Sequence, residues 1–287
     1  MIMVFRKGGR LPDNLAFYYD GHQLEIVNKY TYLGIVFTSG GSFSEACSTL
    51  SGQALKAIFK LRNYLFRYTS ISVDHVLSLF DKLVRPILFY GAEVWGFLKA
   101  NQIERIHTLF CKRTLGVKSS TQNDFIYGEL GRQDLYSSRL VSIIKYWLRI
   151  MSSDSNKYVL VMYKTMLRDL ELHPQKPNWA SSVRDTLGRL GFFHDWEAQG
   201  VGDNGSFISL FKQRCKDIFV QEWYGRIERS TRATFYKTFC SFGLRIYLSS
   251  VNVNKYRILL RKKTTEQSIM NCMYIDFNTL LRKHKLY

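Results

Sequence analysis

The 287-residue chain has few cysteines, and they are scattered. Cys47, Cys111, Cys215, Cys240 and Cys272 are odd in number, and none falls in a Cys-x-x-Cys pair. That argues against a disulfide framework and against a zinc knuckle. Reduced thiols in an intracellular protein, nuclear or cytoplasmic, are the simplest expectation. No run of eighteen apolar residues occurs, so no membrane-spanning helix is expected. The first residues lack the order of a secretory signal. Gly8-Gly9 and Gly40-Gly41 lack the strand–loop–helix spacing and the lysine of a phosphate-cradling loop. Ser, His and Asp are dispersed and suggest no nucleophilic or acid–base constellation. No cofactor and no small-molecule substrate is therefore indicated. Acidic residues are also scarce. The 23 Asp and Glu face 41 Lys and Arg, a net charge of +18 and a pI near 9.7. Such an excess points to a polyanionic partner.

What is present is a globular composition, 46% hydrophobic and 22% charged. Residues 1 to 38 read as a sheet fragment of three or four antiparallel strands. Ile2, Val4 and Phe5 open it. Leu15 to Tyr19 and Gln23 to Val27 flank the hairpin dipeptide Asp20-Gly21, and Tyr30 to Phe37 follows. Ser42 and Glu45 form a capping-box pattern ahead of a helix from Phe43 to about Arg67. Its inner face is Leu55, Ile58, Phe59 and Phe66. Lys56, Lys60 and Arg67 share one side with Asn63 and Tyr64, a basic stripe suited to a phosphate backbone. Ser72 caps the next helix, in which Val76, Phe80, Leu83, Val84, Ile87 and Leu88 form one face. Pro86 predicts a kink there. Gln102 to Leu115 is helical, with Ile103, Ile106, Leu109 and Phe110 inward and Arg105, Lys112 and Arg113 outward. His107 and Cys111 lie one turn apart and read as packing residues, because two ligands without a second pair make no metal site.

Further helices are expected at Gln122 to Leu130, Leu135 to Met151, Tyr158 to Leu172, Trp179 to Leu190, Phe207 to Tyr224, Thr231 to Phe242 and Asn254 to Lys263, with Gly200 to Ser206 a loop. The fold class is thus mainly α, with a small N-terminal antiparallel sheet. The chain divides at 1–40, 41–118 and 119–287. The segment from Ser250 to Tyr287 holds eight basic and two acidic residues.

Leu83 to Gly96 reads Leu-Val-Arg-Pro-Ile-Leu-Phe-Tyr-Gly-Ala-Glu-Val-Trp-Gly, and this order resembles the thumb region of reverse transcriptases from non-LTR (LINE-type) retrotransposons. Two other parts support the likeness. Met3 to Arg10 and Asn28 to Ile35 look like the last strands of that polymerase's palm. Phe110 to Arg113, Val117 to Thr121 and Tyr127 to Arg132 look like the region behind the thumb. The likeness runs to about Trp147 and weakens beyond Ser152.

The resemblance implies an RNA-directed DNA polymerase lineage. Residues 1–40 would be the palm end, 41–118 the thumb and 119–287 a helical region behind it. Tyr32, Leu33 and Gly34 would lie on the hairpin called the primer grip. Template–primer, as RNA or an RNA/DNA hybrid, would be held through Lys56, Lys60, Arg62, Arg67, Arg113, Lys118, Lys145 and Arg149. The family's chemistry needs clustered carboxylates holding two Mg²⁺ ions about 4 Å apart. No two aspartates are adjacent in this chain, and Asp20 is followed by Gly21. No catalytic residue, no metal and no polymerase activity by the chain alone are expected. A truncated remnant fits, as does a subunit completed by the rest of the polymerase, which would leave a sheet edge open near Met3 to Arg6. The family's Cys-Cys-His-Cys knuckle is not matched by Cys272 and His284. An interaction module using Trp147, Trp179, Trp196 and Trp223 on a protein partner is the alternative.

Overall fold

Left-handed backbone at Asp20-Gly21 and Leu33-Gly34 shapes the N-terminal region of the protein, which we describe from a computed structural model. The residues described are 1–6, 8–67, 71–154, 157–231, 233, 236–239 and 241–244, without the side chains of 62–67 and 238–239. Asp20 and Gly21 have φ of 49° and 75°, and Leu33 and Gly34 have 47° and 80°. Two successive positive φ values give a tight turn whose twist matches its strands. Strands β1 (Phe17–Tyr19) and β2 (His22–Leu24) pair across the first turn, and β3 (Lys29–Tyr32) and β4 (Ile35–Thr38) across the second. They form two separate two-stranded sheets, not the single fragment expected. Ile2 meets Ile26 only as an isolated bridge. The single Tyr30–Phe37 strand is corrected to a hairpin, because Leu33-Gly34 reverses the chain within it.

After Thr38 the elements among the described residues are helices, apart from an isolated bridge between Leu130 and Leu244: α1 (Ser44–Arg67), α2 (Val73–Leu79), a π turn (Phe80–Val84), α3 (Arg85–Leu88), α4 (Ala92–Trp95), α5 (Asn101–Leu115), α6 (Asn123–Leu130), α7 (Leu135–Met151), α8 (Tyr158–Leu172), α9 (Trp179–Leu190), α10 (Phe193–Glu197), α11 (Asn204–Arg229) and α12 (Tyr236–Phe239). Caps account for many of these ends. Ser72, Asp134, Asn178 and Asp203 each accept a backbone N–H of the first turn, and Gly116, Gly131 and Gly191 stop α5, α6 and α9 in the left-handed conformation. Ser42 accepts from Ser44 N, but Glu45 does not complete a capping box and pairs with Lys29 at 3.1 Å. The expected helix from Thr231 to Phe242 is described only at Tyr236–Phe239, and α10 was not foreseen. The expected helix from Asn254, the basic segment from Ser250, and Cys272 and His284 lie outside the described residues.

The kink at Pro86 takes the form of the π turn. Along this segment Val76, Phe80, Val84, Leu88, Ala92 and Trp95 are buried, so the inward step is four residues for most of its length. In a helix of 3.6 residues per turn a four-residue step drifts round the axis. The wider π turn offsets that drift and keeps the step on the core. Leu83, expected inward, is 53% exposed as a result, and Ile87 is half-buried.

Among the described residues three hydrophobic cores result. The first runs from Cys47 to Leu135 and joins α1, the π-containing helix and α5. The second runs from Leu140 to Cys215, with Trp147 at its centre under α8 and α9. The third packs Phe125 and Tyr127 of α6 on Phe219, Trp223 and Ile227 of α11 and on Tyr236. The stretch Tyr127 to Arg132 is the hinge-pin of this arrangement, and each of its polar or glycine positions has a partner. A Cβ at Gly128 would stand 2.4 Å from the Trp223 ring. Glu129 accepts from Tyr236 Oη at 2.8 Å. A Cβ at Gly131 would meet Leu244 N at 2.6 Å. Trp223 Nε1 donates to Asp124 O at 2.7 Å, tying α11 to α6.

Candidate nucleic-acid interface

The second hairpin presents Tyr32 and Leu33 outward, 58% and 72% exposed. Leu33 is a branched residue in left-handed backbone, which costs about 1–2 kcal/mol relative to an ordinary conformation. A neighbour helps hold it there. Tyr90 Oη donates to Leu33 O at 2.7 Å, and the Tyr90 ring lies 3.5 Å from where a Gly34 Cβ would be. Gly34 therefore brings this tip close to the ring ahead of α4, and it leaves room for little else. The predicted trio Tyr32, Leu33 and Gly34 is thus one exposed tip fixed against Tyr90, the residue that sequence reasoning left out.

On α1, Lys56 and Lys60 are both exposed, and Phe59 between them is 43% exposed. Phe59 was expected to be inward with Leu55 and Ile58. Instead it lies under Arg113 of α5, whose guanidinium carbon is 5.4 Å from the ring centroid. A cation over an aromatic face contributes about 0.5–1 kcal/mol at such an exposed site. Of the predicted cations, Arg113 thus lies over this ring where α1 crosses α5, and Lys56 and Lys60 are exposed on the same helix as the ring. Lys118 is exposed in the turn just beyond α5, where Lys112 Nζ donates to Ser119 O at 2.8 Å. The side chains of Arg62 and Arg67 lie outside the described residues.

Lys145 and Arg149 belong elsewhere. They are exposed on α7, which packs on α4, α11, α8, α9 and α5, and Arg149 lies over the Tyr146 ring at 5.0 Å. The predicted residues thus fall into the hairpin tip, the α1–α5 face and the α7 face. The tryptophans offered as partner contacts are interior: Trp147 and Trp223 are fully buried, Trp196 is 8% exposed, and half-buried Trp179 donates to Glu93 O at 2.9 Å.

Two other cations, not picked out from the sequence, turn inward. Arg132 forms a two-pronged pair with Asp81 at 2.7 Å and 2.7 Å, and its Nε donates to His107 Nε2 at 3.3 Å. That bond places the neutral imidazole's proton on Nδ1. Burial, with the nearby Arg132 and Arg85 guanidiniums, holds His107 well below the usual histidine range. Arg139 is fully buried, donates to Glu104 Oε1 at 3.2 Å, and reaches the carbonyls of Gly96 and Leu98. Burial pushes the Glu104 carboxyl up, against the pull of Leu135 N–H and Arg139. The only sequence signal for either arginine was its place on an otherwise apolar helix face or beside a helix stop. Cys111 is buried beside them with its thiol pushed up to about 12 by burial. Among the described residues no three His, Cys, Asp or Glu converge as metal ligands, and no helix is long and apolar enough to cross a membrane. No family model, curated protein or solved structure matches this chain.

Proposed function

We propose that this protein binds nucleic acid, as the thumb-side part of a non-LTR reverse-transcriptase-like protein, and has no polymerase activity by itself. The observation that carries the reading is the α1–α5 crossing, where Arg113 lies over a half-exposed phenylalanine and Lys56 and Lys60 are exposed on the same helix. Ammonium and guanidinium groups neutralise phosphates, and a partly exposed ring beside them offers a surface to a sugar or an unstacked base. The hairpin tip at Tyr32-Leu33-Gly34, which the resemblance assigns to the primer grip, is the second contact. Contacts of this kind read shape and charge rather than sequence.

Fluorescence anisotropy with a primed RNA template tests it at two salt concentrations. Binding should weaken steeply with salt, and the double variant Lys56→Gln, Lys60→Gln should flatten that slope by about two. Salt-independent or undetectable binding rejects the reading. With Mg²⁺ and nucleotides present, no primer extension is expected, since the sequence lacks an Asp-Asp pair.

A second reading is favoured by one observation. Leu83, Tyr90, Val94 and Leu98 are each about half exposed along one segment. An apolar band of this kind suits a protein partner, of which the remainder of a polymerase would be one. Light scattering with a separately expressed palm would decide it. Complex formation that Val94→Lys abolishes supports the partner reading.

A further inference from the structure

Between the first two cores lies an open cleft of about 600 Å³. Its walls are the π turn with α3, the bend after α6, the first turns of α7, and one side of α11. Four cations line it: Arg85, Arg132, Lys212 and Lys216. Asp81 is the one carboxylate among the lining residues, and Arg132 already holds both its oxygens. The cleft is therefore strongly positive, and Arg132 is fixed in place by Asp81 and His107 before any ligand arrives.

Arg85 stands 3.9 Å from an Asp81 oxygen and lies over the Phe89 ring, and the other donors are uncommitted. Lys212 and Lys216, one turn apart on α11, have no carboxylate partner among the described residues. Ser137, Ser138, Ser209 and Gln133 also line this space, and their side chains make no hydrogen bond to the described chain. Two ammonium groups, a guanidinium and three hydroxyls outnumber the four or so lone-pair positions of one carboxylate. Charge-assisted donors in this number match several phosphate oxygens held close together. The size is that of a small-molecule site, although such sites are ordinarily more apolar. The lining includes no aromatic ring, whereas sites for single strands stack bases on aromatic side chains.

We propose that this cleft binds an oligophosphate, a small anion of two or more linked phosphates, and that the site is separate from the α1–α5 face. Lys212, Lys216 and Arg85 contact the phosphates, the three serines donate to the remaining oxygens, and Arg132 supplies a fixed positive wall. The π turn is part of the site, since it carries Asp81 and delivers the chain to Arg85.

Calorimetry of the whole chain with inorganic tripolyphosphate tests this. Tripolyphosphate should bind, orthophosphate should bind about tenfold more weakly or worse, and Lys212→Gln with Lys216→Gln should weaken tripolyphosphate about tenfold or more. Both lysines are exposed, so an unchanged circular dichroism spectrum and melting midpoint should accompany that loss. The Lys56→Gln, Lys60→Gln variant should bind tripolyphosphate as the parent does. No tripolyphosphate binding, or binding indifferent to the α11 substitutions, overturns the proposal. So does an outcome in which those substitutions remove oligonucleotide binding alone, which would make the cleft a strand path. Loss of RNA binding on changing α1, with the cleft unaffected, leaves the two sites distinguishable.

Discussion

Arg139 and Lys60 are both long cationic side chains on helices, and they serve opposite ends. Arg139 is sealed between α7 and α5, with Glu104 and two carbonyls around it, whereas Lys60 stands exposed on α1. The same contrast separates Arg132, clamped by Asp81, from Lys212 and Lys216 across the cleft. A net charge of +18 does not distinguish these groups. Cations inside the junction hold the cores together, and those outside are the ones available to a polyanion.

Substitutions should break this contrast in a fixed order of size. Arg139→Ala removes a buried charge from its partners and should cost about 3–5 kcal/mol in urea unfolding, because Glu104 loses its countercharge and the Gly96 and Leu98 carbonyls lose the guanidinium. A loss below about 1 kcal/mol would put Arg139 in the same class as the surface lysines. Gly128→Ala drives a methyl into Trp223 and Tyr236, and about 1–3 kcal/mol of destabilisation is expected from the same measurement.

A pH series sharpens the comparison on the interior side. His107 is depressed in the folded state, so the unfolded chain takes up its proton first as pH falls. Stability from this group is present above the ordinary value of 6.5 and declines as pH drops from there toward the depressed folded value. The decline can reach about 1.4 kcal/mol per pH unit, and His107→Gln should remove it. Unfolding curves at pH 7.5 and 5.5, chosen as roughly one unit either side of 6.5, would show it. At the hairpin, Leu33→Asn relieves left-handed strain and should raise stability by about 0.5–1 kcal/mol while weakening RNA binding. The smallest effect should be on the stability of Lys56→Gln, Lys60→Gln, within about 0.5 kcal/mol of the parent despite its lower RNA affinity.

Much of the helical scaffold was legible because its signals are local. α7 and α9 were bounded to the residue, since Asp134 and Asn178 cap them and Ser152 and Gly191 follow them within the same stretch of chain. The hairpin at Asp20-Gly21 was legible for the same reason. Leu33-Gly34 was not, since leucine at positive φ contradicts its usual preference and is stabilised by Tyr90, 57 residues away. Distance along the chain also hid the junction. Arg132 and Asp81 are 51 residues apart and Arg139 and Glu104 are 35 apart, so neither pair leaves a pattern in a short window. Of the predicted site, Lys56 and Lys60 could be paired by helical spacing, but Arg113 could join them only through the way α5 crosses α1. Phe59 looked interior because phenylalanine usually is, and only the guanidinium lying over it explains its place at the surface.

The widened turn at Phe80–Val84 amounts to an insertion already absorbed into the helix ladder. Deleting one residue there would restore ordinary winding while leaving the stretches on either side in phase, so the change falls on the turn's own side chains. Phe80, packed against Phe110, and Asp81, paired with Arg132, both belong to that turn, so a change of length there bears on both contacts. Because one helical irregularity sets both the packing of the first core and the charge of the cleft beside it, neither can be altered by a length change without the other.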